Sequence, residues 1–321
     1  MNTDEARAGP GTGVAATAAA VTGRIPPASF FLVSAIFHYL GPALAVELFA
    51  RVDVLGVAWL RVVTAAVVFA VWRRPWRLYF RMTPSQRLVM LALGAVLAGM
   101  NTVFYLACDR LPLSTVSSIE FLGTIILAAV GTRTWRNLAA LIVTIGGVAV
   151  LTEVSVAGQP WGFVFAFANC AGFMLYVMLA HRIANTAVAD TPAGGPRTDS
   201  AESPDARRAP MSGIDQLGAA MLVAAVVITP IGAGSAGAAF ADPVLLLAGA
   251  GVGVCSSVIP YVTDQLAMAR LPRATYALML ALLPAVATVM GLIVLGQVPS
   301  GQDLAGVALV IAGIAIHRDR R

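Results

Sequence analysis

The sequence predicts an all-α integral membrane protein of ten transmembrane helices, arranged as two inverted five-helix repeats with cytoplasmic N- and C-termini. Three observations support this prediction: a strongly apolar composition, ten segments long enough to span a bilayer, and arginines concentrated in alternate loops. Of the 321 residues, 59% are hydrophobic and 12% are charged, whereas soluble domains carry about 25% charged residues. The net charge of +5 comes without a basic stripe of interleaved aromatics outside the loops, so no nucleic acid partner is expected.

Each predicted helix is an apolar segment that approaches the roughly 20 residues needed to cross a hydrocarbon core of about 30 Å. These segments lack the alternation of a strand, and a backbone in lipid must satisfy its own hydrogen bonds, so helices are favoured. The ten segments are residues 29–50, 55–72, 87–108, 112–131, 137–153, 161–180, 214–234, 244–267, 272–296 and 302–317.

Arginine placement predicts the orientation, because cytoplasmic loops next to spans collect basic residues. All 21 basic residues are arginines, and 18 of them fall on the same side as the N-terminus when the ten segments are threaded. The other side keeps Arg51 and Arg110, and Arg61 lies inside a span. Omitting or adding one helix would destroy this asymmetry, so both termini are expected in the cytoplasm.

Two polar segments lie outside the spans. Residues 1–28 are expected to form a disordered cytoplasmic tail, because they lack the basic start and compact apolar region of a cleaved signal peptide. Residues 185–213 are rich in Pro, Gly, Ser, Asp and Arg, and this composition cannot bury enough apolar surface to become ordered. They are expected to form a cytoplasmic linker, either a plain spacer or a regulatory segment, that interrupts the second repeat (161–317) after a first repeat at 29–153.

A string in the first half recurs in the second. LACDRLPLSTVSSIEFLGTIILAAVG (106–131) aligns with LAMARLPRATYALMLALLPAVATVMG (266–291), and both contain R-L-P-x-x-T. Because each half has an odd number of predicted helices, the two copies face opposite sides of the membrane. Inverted repeats of this kind are typical of transporters, which bind their solute near the bilayer midplane between the two halves.

Glu120 stands in an otherwise apolar segment, close to the middle of the bilayer. It lies about 12 Å along the helix from Pro112, at 1.5 Å per residue. A charge at this depth costs roughly 2.5 to 3.5 kcal/mol, so Glu120 is expected to face the protein interior or a wet cavity. Ser117 and Thr124 share its helical face and extend a polar stripe.

Polar residues at similar depth in other helices are expected to surround the same space and to bind the solute or carry protons. They are His38, Tyr39, Arg61, Asn101, Tyr105, Asn169, Tyr176, Tyr261 and Asp264. Burial disfavours the ionised form of a carboxyl group, and our hypothesis is that Glu120 couples proton entry to solute exit. The alternative is a structural ion pair or hydrogen bond of Glu120, with Arg61 or His38 as the favoured partner, that holds helices together.

Several strings resemble the EamA family of the drug/metabolite transporter superfamily, and most closely its threonine and homoserine exporter branch. They are GVAWLR (56–61), PWRL (75–78), GMNTVFYL (99–106), RLPLSTVSSIEFLG (110–123) and SVIPYVTDQLAMARLPRATYALMLALLPAVATVMGLIVLGQ (257–297). The resemblance implies ten helices in two inverted repeats, a central cavity and gradient-driven export of amino acids. Two positions depart from the branch, which often has Glu where this chain has Leu283 and Gln297, and Thr124 replaces a proline.

The leading expectation is a secondary active transporter of a bacterial cytoplasmic (inner) membrane, which exports small polar metabolites such as threonine or homoserine by proton-coupled alternating access. Efflux of cationic drugs or metabolite uptake is the nearest alternative, and a non-transporting scaffold or sensor comes from another class. The expected partners are the bilayer and a small-molecule substrate, and a homodimer is left open. No enzyme activity, cofactor or metal is expected, since no ATP-binding loop, protease constellation or metal-ligand spacing occurs in the sequence.

Overall fold

The computed structural model describes residues 26–131, 134–153, 159–189, 213–268, 270–271, 273–280 and 282–316, and every regular element within these ranges is a helix. In chain order the α-helices are α1 (Pro27–Leu48), α2 (Val54–Arg73), α3 (Trp76–Arg81), α4 (Pro84–Cys108), α5 (Leu113–Gly131), α6 (Trp135–Glu153), α7 (Pro160–Ala189), α8 (Gly213–Gly232), α9 (Gly237–Ala241), α10 (Pro243–Gly253), α11 (Ile259–Met268), α12 (Arg273–Leu280), α13 (Leu283–Leu295) and α14 (Gly301–Ile316).

The prediction of an all-α membrane protein is confirmed. Six stretches of the described chain are long and apolar enough to cross a membrane: α1, α2, α4, the first part of α7, α8, and the continuous stretch that contains α10 and α11. Four shorter apolar stretches lie within α5, α6, α13 and α14. Each of the ten segments identified in the sequence therefore coincides with an apolar helix or with consecutive helices.

Two prolines interrupt segments for which the sequence predicts single helices. A proline lacks the N–H that bonds four residues back, and its ring clashes with that carbonyl. Pro284 accordingly separates α12, which ends at Leu280, from α13, in which it occupies the first turn. Pro260 follows a π-helical turn at Val254–Val258, which joins α10 to α11.

The polar segments begin and end at slightly different residues from those predicted. Helix α1 begins at Pro27, and residues 1–25 of the predicted tail lie outside the described residues. Helix α7 continues to Ala189, five residues into the predicted linker, whose residues 190–212 also lie outside the described part. Its end precedes Pro192, and prolines commonly follow a helix end because they cannot continue it.

Helices from the first half of the chain pack against helices from the second half. Helix α1 lies against α11 and α13, α4 against α7 and α8, and α2 against α8. Helix α5 also contacts α13, and α6 lies along α14. At its two ends, α2 is joined to α8 by the Arg73–Asp215 ion pair (Nε to Oδ1, 2.7 Å) and by a hydrogen bond from Trp59 Nε1 to Thr229 Oγ1 (2.9 Å).

The two R-L-P strings make matching contacts. The Arg110 guanidinium lies 5.2 Å from the ring centre of Phe165 near the start of α7, and the Arg270 guanidinium lies 4.9 Å from that of Phe30 near the start of α1. The backbone N–H of the following leucine donates to an alanine carbonyl four residues back in both copies, at 2.8 Å. Each string therefore stacks its arginine on the first helix of the other half.

Gly41 sets the distance between α1 and the π-helical turn. A Cβ atom at this position would overlap the backbone of Ser256, which cannot move aside as a side chain can. Replacing Gly41 with Val is expected to lower stability by about 1 to 3 kcal/mol, the usual range for overpacking. The measurement is thermal unfolding of the purified protein in detergent.

The matched control is Gly99→Ala in α4, where an added Cβ would meet nothing within 4 Å. It is expected to leave stability unchanged or to raise it, because alanine forms helix more readily than glycine. An unfolding temperature for Gly41→Val equal to that of the unchanged protein would contradict the close contact of α1 with the turn.

Candidate functional site

Glu120 lies on an enclosed stretch of α5. Helix α5 packs against α6, α7 and α13, and every residue from Leu113 to Gly123 is buried. Only 6% of the Glu120 surface is exposed, which excludes an orientation toward lipid. The sequence-based expectation that Glu120 faces the interior is thus met by its position.

The Glu120 carboxylate lacks a full set of partners. Its Oε2 atom is buried without a hydrogen-bond partner, and within the described part of the chain it forms no ion pair within 4 Å with Arg61 or His38. Asn169 of α7 lies beside Glu120, but neither its Oδ1 nor its Nδ2 makes a hydrogen bond of ordinary geometry. The predicted structural ion pair is therefore not formed in this conformation.

Tyr105 adds a third unpartnered group. Its hydroxyl is buried without a hydrogen bond, although it lies near Arg61 and Ser256. Most buried polar atoms in proteins are hydrogen-bonded, and each exception needs an explanation such as a missing water, ion or ligand. Glu120, Asn169 and Tyr105, which come from three different helices, form a cluster of such exceptions that we call the central polar cluster.

Arg61 projects from α2 toward this cluster, and Ser256 and Ser257 of the π-helical turn accept hydrogen bonds from its guanidinium. Its Nε donates to Ser257 Oγ (3.0 Å), and its Nη2 donates to the Ser256 carbonyl (3.3 Å). That carbonyl is available because Pro260 has no N–H to bond it. These contacts use two of the five N–H groups of a guanidinium, and only 5% of the residue is exposed.

The Arg61 charge is further enclosed by aromatic rings and balanced by Glu120. The guanidinium carbon lies 5.1 Å from the ring centre of Tyr105 and 5.9 Å from that of Phe104. Arg61 and Glu120 interact electrostatically across a separation too long for an ion pair. One buried cation and one buried anion thus face a common region without contacting each other.

Tyr39 and Ser117 bound the same region from α1 and α5. The Tyr39 hydroxyl and Ser117 Oγ are 2.6 Å apart, and both residues are fully buried. The His38 ring contacts the Tyr39 ring edge-on, with centroids 5.1 Å apart. His38 and Tyr261 of α11 are only partly buried, and both interact electrostatically with Arg61.

The remaining predicted residues make other contacts or have side chains outside the described residues. Asn101 donates from Nδ2 to the Leu97 carbonyl of its own helix (2.7 Å), and Tyr176 lies near Tyr261. Asp264, three residues after Tyr261 on α11, lies beside Ser34 and Tyr276. The side chain of Thr124 lies outside the described residues, so its predicted place on the polar stripe stays a prediction.

Sequence reasoning missed Ser256 and Ser257, which hold Arg61. The signal was the Ser-Ser pair just before Pro260, since the proline frees a carbonyl and the small hydroxyl side chains admit a guanidinium. Gln297, one of the two departures from the family pattern, lies away from the cluster: its Oε1 accepts from the Leu113 N–H at the start of α5 (3.2 Å). No group of three or more potential metal ligands occurs among the described residues.

Comparisons with known proteins identify similar sequences and a similar fold. Residues 207–317 match the EamA-like transporter family. Threonine/homoserine exporters RhtA of Salmonella typhimurium and Escherichia coli are 29% and 28% identical over 278 residues, covering 85% of this chain and 84% of theirs. A crystal structure described only as that of a protein has the same fold, with a TM-score of 0.54, 17% identity, and coverage of 90% of this chain and 96% of its own.

Proposed function

Since the chain belongs to the EamA family of the drug/metabolite transporter superfamily and spans a bacterial inner membrane, we propose that it exports small polar amino acids such as threonine and homoserine. Export proceeds by alternating access and is driven by proton entry. The observation that carries this proposal is that a buried guanidinium and a buried carboxylate interact without forming an ion pair, while buried polar atoms of Glu120, Asn169 and Tyr105 lack hydrogen-bond partners.

We propose that the ten apolar segments cross the membrane as two inverted five-helix repeats, with both termini in the cytoplasm. A twofold axis that exchanges the halves would exchange the pair α1/α11 with α7/α4 and would map the pairs α2/α8, α5/α13 and α6/α14 onto themselves. The observed packing has this pattern. The matching contacts of Arg110 on Phe165 and Arg270 on Phe30 support the same axis.

The chemistry of the cluster suits an amino acid in its zwitterionic form. The free N–H groups of Arg61 and the Tyr105 hydroxyl can donate to an α-carboxylate, and such charge-assisted bonds are the strongest in proteins. Glu120 Oε2 and Asn169 Oδ1 can accept from the α-ammonium group. The Tyr105 hydroxyl, Glu120 Oε2 and Asn169 Oδ1, which lack hydrogen-bond partners within the protein, would then each acquire a bond, which removes the desolvation penalty of leaving them unsatisfied.

Proton coupling follows if Glu120 alternates between a neutral and a charged form. A charged carboxylate binds the ammonium group, and protonation of the carboxylate from the outside removes that attraction and releases the amino acid. The carrier then returns to the cytoplasmic side with Glu120 neutral, where Glu120 releases the proton and the carboxylate binds the next substrate molecule. Exchange of one proton for one substrate molecule is the expected stoichiometry.

Flux in liposomes tests this function. The purified protein is reconstituted, the vesicles are loaded with a panel of radiolabelled amino acids, and efflux is measured with and without an imposed pH gradient. We expect threonine and homoserine to leave faster when the outside is acidic, and valine, which lacks a hydroxyl group, to leave more slowly. Equal flux for every amino acid, independent of the gradient, would contradict the proposal.

Efflux of organic cations is the competing function, because Glu120 alone would attract a cation. The same vesicles distinguish the two functions when an organic cation without a carboxylate competes with labelled threonine. Arg61 favours the amino acid, since its positive charge in the cluster opposes a substrate that carries only positive charge. Efflux of the organic cation under a pH gradient, together with no threonine flux, would favour drug efflux.

A further inference from the structure

The connection between α2 and α4 carries a dense positive charge. Five arginines lie within 15 residues of chain, and no acidic residue occurs anywhere between Asp53 and Asp109. They are Arg73, Arg74, Arg77, Arg81 and Arg87. The connection contains the short helix α3, and its charge is independent of the central polar cluster.

One face of this connection is fixed to the bundle. Pro75, Leu78 and Met82 are buried, and the Tyr79 hydroxyl donates to the Ala219 carbonyl of α8 at 2.9 Å. Burial raises the pKa of Tyr79 to about 12, so the phenol stays protonated and keeps this bond at physiological pH. Helix α3 is therefore held in a defined orientation at the end of the bundle.

The opposite face presents large apolar rings and arginines together. Phe80 is 82% exposed and Trp76 is 44% exposed. Arg74, Arg77 and Arg87 are also exposed, and none of them forms an ion pair with another described residue, whereas Arg73 is paired with Asp215. We call Arg74, Arg77 and Arg87 the arginine face.

The corresponding connection in the second half provides an internal comparison. Helix α9, between α8 and α10, also exposes an aromatic ring, with Phe240 58% exposed. The segment from Ala233 to Asp242 contains no basic residue and ends in an acid. Both connections expose an aromatic ring, but only the connection between α2 and α4, on the arginine-rich side of the membrane, carries positive charge.

We propose that the arginine face binds the phosphate headgroups of anionic phospholipids in the cytoplasmic leaflet, with Phe80 and Trp76 inserted at the boundary of the acyl chains. Aromatic rings of this kind concentrate at membrane interfaces, and clusters of four to eight basic residues next to a span recognise anionic lipids. Guanidinium groups also match the geometry of phosphate oxygens. Because one face of α3 is fixed by Tyr79 and Leu78, the backbone that carries Arg77 is already ordered before lipid binds.

Lipid retention by the full-length protein tests this site. The protein is placed in nanodiscs of equal parts phosphatidylglycerol and phosphatidylethanolamine, and the bound lipids that survive release into the gas phase are counted by native mass spectrometry. We expect phosphatidylglycerol to be retained in preference. The double variant Arg77→Gln/Arg87→Gln is expected to lose this preference, since each arginine near the surface contributes about fivefold in affinity.

Two controls distinguish lipid binding at the arginine face from nonspecific electrostatic attraction. Arg51→Gln removes an exposed arginine from the opposite side and is expected to keep the preference. Inorganic phosphate at the headgroup concentration is expected not to displace the lipid, since it lacks acyl chains to contact Phe80. The proposal is overturned if the double variant retains phosphatidylglycerol as well as the unchanged protein, if Arg51→Gln loses as much, or if free phosphate displaces the lipid.

Discussion

Replacing Glu120 with Gln is expected to abolish efflux driven by a pH gradient and to weaken threonine binding roughly 10- to 150-fold, the range for losing a hydrogen bond to a charged group of about 1.5 to 3 kcal/mol. The glutamine amide neither releases nor accepts a proton at physiological pH, so proton entry is no longer coupled to substrate exit. The charged contact with the α-ammonium group of the substrate is lost as well. Efflux and equilibrium binding in liposomes measure the two effects.

The same substitution is expected to stabilise the protein. Glu120 Oε2 is buried without a hydrogen bond, and a neutral amide is less costly to bury than a charge. A higher unfolding temperature together with lost transport would identify Glu120 as a functional residue rather than a structural one. Glu47→Gln, which changes an exposed carboxylate near the end of α1, is the matched control and should alter neither property. Unchanged proton-driven efflux in Glu120→Gln would reject the role of this residue.

Replacing Arg61 with Gln is expected to reduce threonine transport by at least tenfold, since the α-carboxylate loses a charge-assisted bond of about 1.5 to 3 kcal/mol. Transport of the amino alcohol that corresponds to threonine without its carboxylate should fall much less. The informative quantity is the ratio of the two rates, because any general loss of active protein affects both substrates equally.

Arg61→Lys and Ser257→Ala are the controls for this second prediction. Lysine keeps the charge but cannot donate from a planar fork to Ser256, Ser257 and the substrate at once, so an intermediate ratio is expected. Ser257→Ala removes one support of the guanidinium and leaves the charge in place. A ratio in Arg61→Gln equal to that of the unchanged protein would mean that Arg61 only holds α2 against the π-helical turn.

Much of the fold follows from the sequence because lipid imposes simple rules. Apolar segment length located each membrane-capable stretch, since a bilayer of fixed thickness leaves little choice, although α7 continues nine residues past the predicted end of its segment. Features that depend on a single proline were harder to predict: Pro284 divides α12 from α13, and Pro260 introduces the π-helical turn. A hydropathy pattern averages over such residues and cannot show where a helix is interrupted.

The candidate site was only partly predictable. Glu120 was conspicuous because a charge in an apolar segment is costly, and Arg61 for the same reason. Ser256 and Ser257 gave no comparable signal, because hydroxyl groups are common in membrane helices and their importance depends on the position of Arg61 across the interface between the halves. Asn101 looked equivalent to Asn169 in the sequence, but its amide bonds to its own helix.

Accessibility of the central polar cluster from each side of the membrane tests the central claim most directly. In a variant with Cys108, Cys170 and Cys255 replaced by alanine, Ser117→Cys places a single thiol beside Tyr39. Reconstituted in liposomes, this thiol is exposed to a membrane-impermeant reagent from one side at a time. Alternating access predicts labelling from both sides and slower labelling with saturating threonine. Labelling from one side only, or a rate unaffected by threonine, would contradict a substrate chamber that opens alternately to the two sides.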